Sequence, residues 1–382
     1  MKQRRMFRIV LTAFFCFVYT ICLGQYKLTI RVKSLPAYHN FNDSIYLAGS
    51  FNNWNPADKR FVLDKINKGY QIDLVVPKGL HEFKLTKGSW KKVETGEKGS
   101  GISNRIISID SDSSIEIAVI HWSDHFPNKE IPHTVSSNVI ILDSALYMPQ
   151  LDRYRRVWVY LPASYSSSRK KYPVLYMHDG QNVFDDATSY SGEWGVDEAL
   201  DTLGAKYGET IIVAVDNGGI KRLNEYAPYD MERFGKGEGD QYVDFLVKTL
   251  RPVIEKKFRT KKCRKYNSIA GSSMGGLISL YAMLKYPKKF GAAGVFSPAF
   301  WIVPELEKQV PLKSKKLKGN IYFYAGMLEG ETMVPDMLKV FELLDKHSKA
   351  KMISVIRAEG KHNEHTWRVE FPQFYKWLTS KQ

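Results

Sequence analysis

The sequence predicts an α/β layer fold with a largely parallel sheet, preceded by a small all-β, immunoglobulin-like sandwich. Three observations carry this. After residue 137, short apolar runs (PVLYMHD, TIIVAVD, YNSIAG, AAGVFSP, NIYFYAG, KMISVIRAE) alternate with helical stretches at 239–257, 276–285 and 333–347. Buried strands alternating with helices build a mostly parallel sheet covered on both faces. Residues 25–121 differ: YKLTIRV, SIYLAGS, YQIDLVV, HEFKLTK, RIISID and IEIAVI alternate apolar and polar, with Gly, Asn and Asp between them. That period of two, without a helical pattern, is the signature of an antiparallel sandwich. Third, 382 residues suit two domains of ~100–200 residues. A composition of 44% hydrophobic and 25% charged residues excludes a mostly disordered, collagenous or multi-span membrane chain.

Taken in order, residues 1–24 begin with Lys2, Arg4, Arg5 and Arg8, followed by an apolar run from Ile9 to Leu23. Cys22 and Gly24 are small residues before a cut at Gln25. This layout predicts a cleaved secretory signal peptide, and the run is short of the ~20 residues that a span needs. Ile21 before Cys22 is larger than lipoprotein processing prefers. An exported chain, periplasmic or secreted, is expected, with no stable membrane span after cleavage. Four of the cations behind the net charge of +16 lie in this segment.

Cys16 and Cys22 also lie there, leaving Cys263 as the one cysteine beyond it. An internal disulfide, a Cys-ligated zinc site and a CxxC redox centre are thereby excluded, and the fold must rest on its core. No metal and no cofactor is expected. The basic residues Lys256, Lys257, Arg259, Lys261, Lys262, Arg264 and Lys265 read as a solvated helix end and loop, so nucleic acid is not an expected partner.

The sandwich is placed at 25–121. Residues 122–136 (WSDHFPNKEIPHTVS) hold two prolines and little periodicity, which predicts a linker. The α/β domain follows at 137–382. It opens with NVIILDSALY and RRVWVYLP, which read as a hairpin.

The strongest local signal is Gly271-Ser272-Ser273-Met274-Gly275, after the strand at 267–270 and before the helical LISLYAMLKYP. That strand–turn–helix context is what a G-x-S-x-G nucleophile elbow needs. The glycines let backbone approach closely, and the helix N-terminus favours developing negative charge. A serine at its free pKa needs a base. In this order of triad residues an acid and then a histidine follow the serine. His347, His362 and His365 are the histidines after Ser273. His362 lies nearest the end of KMISVIRAE and is favoured over His365; His347 sits in a charged helical stretch. The acid should follow NIYFYAG, where Glu329 is favoured, with Glu331 and Asp336 as rivals. Two backbone N–H groups should form an oxyanion hole. One is that of Met274. The other comes from the loop after PVLYMHD, at Gly180 or Gln181.

Residues from about 137 to 380 resemble the esterase family related to esterase D, feruloyl esterases and enterochelin esterase. The matching stretches are YMHDGQNVFD, SGEWGVDEAL, VDNGG, RLNEYAPYD, IAGSSMGGLISLYA, FSPAFW and GKHNEHTW. The resemblance implies an α/β-hydrolase core and a triad of Ser273, an acid and His362. Many relatives have Asp where Glu329 stands, and the family's usual His-Gly is His178-Asp179 here. Trp194, Asp216, Asn217, Glu225 and Trp301 fall in segments that line the family's cleft or pack beside it.

The N-terminal domain resembles starch- and glycogen-binding modules through IYLAGSFNNWNP, HEFKLTKGSW and NRIISI. The resemblance places Trp54, Lys84, Trp90 and Asn104 where such modules hold a sugar chain. An indole face covers the apolar patches of a pyranose, and many appended modules of this kind have lost sugar binding. The expected function is an exported serine esterase acting on feruloyl or acetyl groups attached to polysaccharide. The alternatives are a siderophore esterase, which the basic charge would suit, and a non-catalytic glycan-binding protein.

Overall fold

The structure is a computed structural model describing residues 25–382, except Asn53, Lys68, Ser103, 127–130, Ser191 and Arg233. The expected signal peptide lies outside the described residues. The chain divides into two compact units, residues 1–129 and 130–382.

The first unit contains strands β1 (Gln25–Ser34), β2 (Tyr46–Gly49), β3 (Asp64–Ile66), β4 (Gly69–Pro77) and β5 (Gly79–Thr86). Then come β6 (Glu94–Thr95), β7 (Arg105–Ile109), β8 (Ser113–Ala118) and β9 (His121–Trp122). Their sheets run β3-β4-β1-β8, β2-β5-β7 and β6-β9. Every second residue of β1 from Leu28 to Val32 is fully buried, sharing a core with Tyr70, Phe83, Leu85 and Trp122. Side chains alternating across a strand have that effect. One pairing departs from the expected antiparallel pattern, since β8 lies parallel to β1. β8 reaches β1 from the other sheet rather than through a hairpin, and a crossover joins strands in parallel.

The segment 122–136, expected as a linker, is held at both of its ends. Trp122 is fully buried in the first unit, and its indole N–H donates to His39 Nδ1 at 3.1 Å. At the other end, the Ser136 N–H donates to Asp197 at 2.7 Å and the Thr134 N–H to Asp185 at 3.2 Å, within the second unit. Proline content marked the segment as irregular but said nothing of what its other side chains bury.

The second unit opens with β10 (Val139–Met148), β11 (Arg153–Tyr160), β12 (Val174–His178) and β13 (Ile211–Val215). It continues with β14 (Asn267–Ser272), β15 (Ala292–Phe296), β16 (Lys318–Gly326) and β17 (Lys349–Arg357). One sheet takes the order β10-β11-β13-β12-β14-β15-β16-β17. The β10–β11 hairpin and the β11–β13 pair are antiparallel, and every later pair is parallel. β12 to β15 are buried at every residue, which is why they read as unbroken apolar runs.

The helices are α1 (Val196–Tyr207), α2 (Arg222–Tyr226), α3 (Gly239–Phe245), α4 (Arg251–Lys257), α5 (Met274–Lys285), α6 (Pro304–Lys313), α7 (Met333–His347) and α8 (Glu364–Thr379). Val213, Ile269 and Phe323 of the sheet share one core cluster with Leu250, Leu277 and Val340. Leu175, Ile212 and Phe296 share another with Trp194, Trp367 and Phe374. The single helix expected at 239–257 is interrupted by a π turn at Leu246–Leu250. Pro252 stands in the first turn of α4, where its missing N–H disturbs the ordinary hydrogen-bond ladder. Among the described residues no helix is long and apolar enough to cross a membrane.

Candidate active site

β14 ends at Ser272 and α5 starts at Met274, so Ser273 alone makes the turn between them. Its backbone sits at φ 58°, ψ −122°. A serine there costs on the order of 1–3 kcal/mol and persists only if its surroundings fix it. They do: the Ser273 N–H donates to the Phe296 carbonyl at 2.9 Å, and its own carbonyl accepts from Leu277 at 3.1 Å and Ala299 at 3.2 Å. A Cβ on Gly271 would stand 2.9 Å from His178 Cδ2 and 3.0 Å from the Gly275 backbone, so the turn closes only with glycine at that position. The Met274 N–H, at the start of α5, has no acceptor among the described residues, as the first N–H groups of a helix lack intrahelical partners.

The turn after β16 brings Glu329 to the neighbouring strand end. Its side chain is fully buried. Oε1 accepts from Ser297 Oγ at 2.8 Å and from the Gly326 N–H at 2.6 Å. Oε2 lies 2.8 Å from His362 Nδ1. Two donors on one oxygen aim the other at the imidazole. The His362 ring is exposed and stands edge-on to Trp367, with centroids 5.1 Å apart. Trp367 Nε1 in turn donates to Ser297 Oγ at 2.9 Å. Glu331 and His365 are exposed, and Asp336 lies in the first turn of α7. Ser273 Oγ makes no hydrogen bond among the described residues, so the serine–histidine link is open in this structure.

Gly180 and Gln181 lie in a short turn, Gly180–Asn182, directly after Asp179, which is left-handed at φ 57°, ψ 48°. A Cβ on Gly180 would meet the Val215 carbonyl carbon at 2.8 Å and the Asp216 nitrogen at 2.9 Å. The turn is therefore pressed against the end of β13. Gln181 Oε1 accepts from the Asn217 N–H at 3.1 Å. Beneath lies His178, buried, with Nδ1 2.9 Å from the Tyr242 hydroxyl. Burial pulls its pKa down to about 4, so the ring is neutral.

The five expected cleft residues separate. Asp216 and Asn217 line an open groove of about 430 Å³ together with Ser144, Tyr154, Arg155, Arg156 and Gly218. Asp216 accepts from Arg156 Nε and Trp158 Nε1, both at 2.8 Å. Glu225 and Trp194 are buried. Glu225 is fully buried as the shared counter-ion of Arg153, at 2.7 Å, and Arg155. Trp194 stacks on Trp367 at 5.7 Å and packs edge-on against Phe296. Trp301 is 55% exposed. Sequence reasoning missed Ser297 and Trp367, though both stood in the quoted stretches FSPAFW and GKHNEHTW. Ser297 has φ 43°, an unusual value for a serine, which no sequence pattern announces.

One carboxylate cluster among the described residues has the spacing of metal ligands. Glu193, Asp197 and Glu198 each bring an oxygen within 4.8 Å of the others. Arg368 already pairs with Glu193 at 3.0 Å and Glu198 at 3.5 Å. Burial pushes Glu193 up to about 7, with the Glu198 charge adding to the shift.

In the first unit, Trp54 and Trp90 come together with ring centroids 6.3 Å apart, and Trp90 is 44% exposed. Asn104 donates to Glu82 at 2.9 Å, and burial lowers the pKa of Lys84.

Residues 149–378 match the model of the family described as "Putative esterase". The uncharacterized protein YbbA of Bacillus subtilis is 26% identical over 243 residues, 59% of this chain and 93% of that one. An alpha-amylase of Niallia circulans is 39% identical over 101 residues, 26% of this chain and 8% of the amylase. An endo-1,4-beta-xylanase/feruloyl esterase of Xylanibacter ruminicola is 25% identical over 226 residues, 55% of this chain and 27% of that enzyme. The crystal structure of the enterobactin esterase FES from Shigella flexneri superposes with a TM-score of 0.54 at 14% identity, covering 93% of each chain. At that identity the superposition speaks for the fold alone. The family match and the strand order together place the second unit: the chain belongs to the "Putative esterase" family and carries its α/β-hydrolase core.

Proposed function

We propose that the protein is an exported serine esterase that cleaves carboxylic esters through Ser273, His362 and Glu329. The observation that carries this reading is the strained Ser273 at the elbow together with the Glu329–His362 contact of 2.8 Å. Glu329 holds Nδ1 as the protonated nitrogen, which leaves Nε2 to act as base. When substrate closes the serine–histidine gap, His362 takes the hydroxyl proton as Ser273 Oγ bonds to the ester carbonyl carbon. The carbonyl oxygen gains negative charge and is met by the Met274 N–H and by that of Gly180 or Gln181. The C–O bond to the alcohol then breaks, and His362 gives its proton to the leaving oxygen. Water repeats the sequence on the acyl-enzyme and frees the acid. No cofactor enters this scheme.

The favoured substrates are feruloyl or acetyl esters on polysaccharide, with the first unit holding glycan through Trp54 and Trp90. The similarity to a xylanase/feruloyl esterase and the 101-residue similarity to an alpha-amylase support this choice. A second reading, a siderophore esterase, is supported by similarity to a siderophore triacetylfusarinine C esterase of Aspergillus fumigatus, 25% identical over 143 residues, 35% of this chain and 47% of that enzyme. Rates on p-nitrophenyl acetate, methyl ferulate, acetylated xylan and a catecholate trilactone separate the two. Turnover of ferulate or acetylxylan well above the trilactone is expected. The opposite ranking selects the siderophore reading, and no turnover of any ester contradicts both.

A further inference from the structure

Asp179 is a buried carboxylate set into the turn that presents Gly180 and Gln181, and it is 7% exposed. Arg222 grips it with two bonds, Nε to Oδ1 at 2.6 Å and Nη2 to Oδ2 at 2.8 Å. Asn217 Nδ2 adds a third at 2.7 Å, while the Asn217 N–H holds the Gln181 side chain at 3.1 Å. The Tyr226 hydroxyl accepts from the Asp179 N–H at 3.3 Å, and the Arg222 guanidinium lies over the Tyr226 ring at 5.1 Å.

The carboxylate also faces the elbow. Its Oδ2 lies 3.4 Å from where a Cβ on Gly275 would stand, one residue past Met274. A bare negative charge there would oppose the oxyanion that the elbow has to stabilise. The neutral His178 ring does not offset it. Arg222 does, and its planar fork fixes geometry as well as charge.

We propose that Asp179, Arg222 and Asn217 are positioning residues: their clamp holds the left-handed turn so that it aims the Gly180 and Gln181 N–H groups, and Arg222 cancels a charge that would otherwise repel the oxyanion. The inference rests on the serine-esterase reading above. Losing one oxyanion donor lowers kcat by ~10²–10³-fold in a well-studied hydrolase. Arg222→Gln should therefore lower kcat on p-nitrophenyl acetate by about 10²-fold with KM changed less than about threefold. Its affinity for phenylboronic acid, which forms an anionic tetrahedral adduct on the serine, should fall by a similar factor. The double variant Asp179→Asn/Arg222→Gln removes the charge together with its partner, and should recover at least about tenfold in kcat over Arg222→Gln alone. A purely structural pair predicts no matching loss of boronate affinity. If Arg222→Gln does not fold by circular dichroism, Asn217→Ala serves instead, with a kcat loss of about tenfold at constant KM. Ser273→Ala run alongside tests the parent reading: activity in that variant refutes the serine mechanism. With Ser273→Ala inactive, wild-type kcat in Arg222→Gln, or in Asn217→Ala where that is used, overturns the clamp alone. A double variant no faster than the single one overturns the charge-cancelling role of Arg222.

Discussion

At the scale of single residues, the proposed machinery depends on which side chains stand at the strand ends. His362 touches Glu329 and His365 does not, so His362→Ala should cost at least ~10³-fold in kcat/KM while His365→Ala costs little. Glu329→Gln should lower turnover with little change in KM, because the imidazole loses its orienting partner. A larger loss in Glu331→Gln or Asp336→Asn would move the acid elsewhere. Ser297 binds both Glu329 and the Trp367 indole. Removing it takes away both bonds, and the one that holds Glu329, worth ~1 kcal/mol, sets the loss, so Ser297→Ala should slow turnover by roughly fivefold. Steady-state kinetics measures each. The elbow at Ser273 and the strand-end position of His362 were legible because an elbow has fixed glycines and a histidine was sought after it in chain order. Ser297 was not, because its role depends on a turn that brings three distant segments together.

At the scale of elements, the second unit was the more legible. Central strands buried on both faces need continuous apolar runs, and α5, buried on almost all sides, reads as one block. The π turn before Pro252 and the parallel β1–β8 pair were not legible, since each depends on what a segment meets across the sheet or one turn away. Just before α1 stands a pH-sensitive group. Glu193 ordinarily titrates near ~4.3, and in the fold it is pushed up to about 7. Between those values the folded chain holds a proton that the unfolded chain has lost. The stabilisation is complete below the lower value and is lost as pH rises through the upper one. Glu193→Gln should therefore flatten the fall in Tm between pH 5 and 8, measured by calorimetry. An unchanged slope would mean that Glu193 is ionised in the fold throughout.

At the scale of the whole molecule, the texture of the sequence separated two units, while the boundary segment hid Trp122 inside the first core. A chain starting near residue 130 keeps the elbow, Glu329 and His362, and should hydrolyse p-nitrophenyl acetate about as fast as the full chain. On polymeric substrate it should be slower, if Trp54 and Trp90 raise local concentration. A Trp54→Ala/Trp90→Ala variant should match the truncated chain on polymer and the full chain on the small ester. Equal polymer rates for all three proteins would assign the first unit another task. The central claim, that Ser273 is the nucleophile, is tested most directly by covalent labelling. The intact protein is treated with a fluorophosphonate and the modified peptide is mapped by mass spectrometry. One phosphonyl group on Ser273, with loss of esterase activity in proportion to labelling and no label on Ser273→Ala, is the predicted result. A label on another residue, or esterase activity that survives complete modification of Ser273, would contradict it.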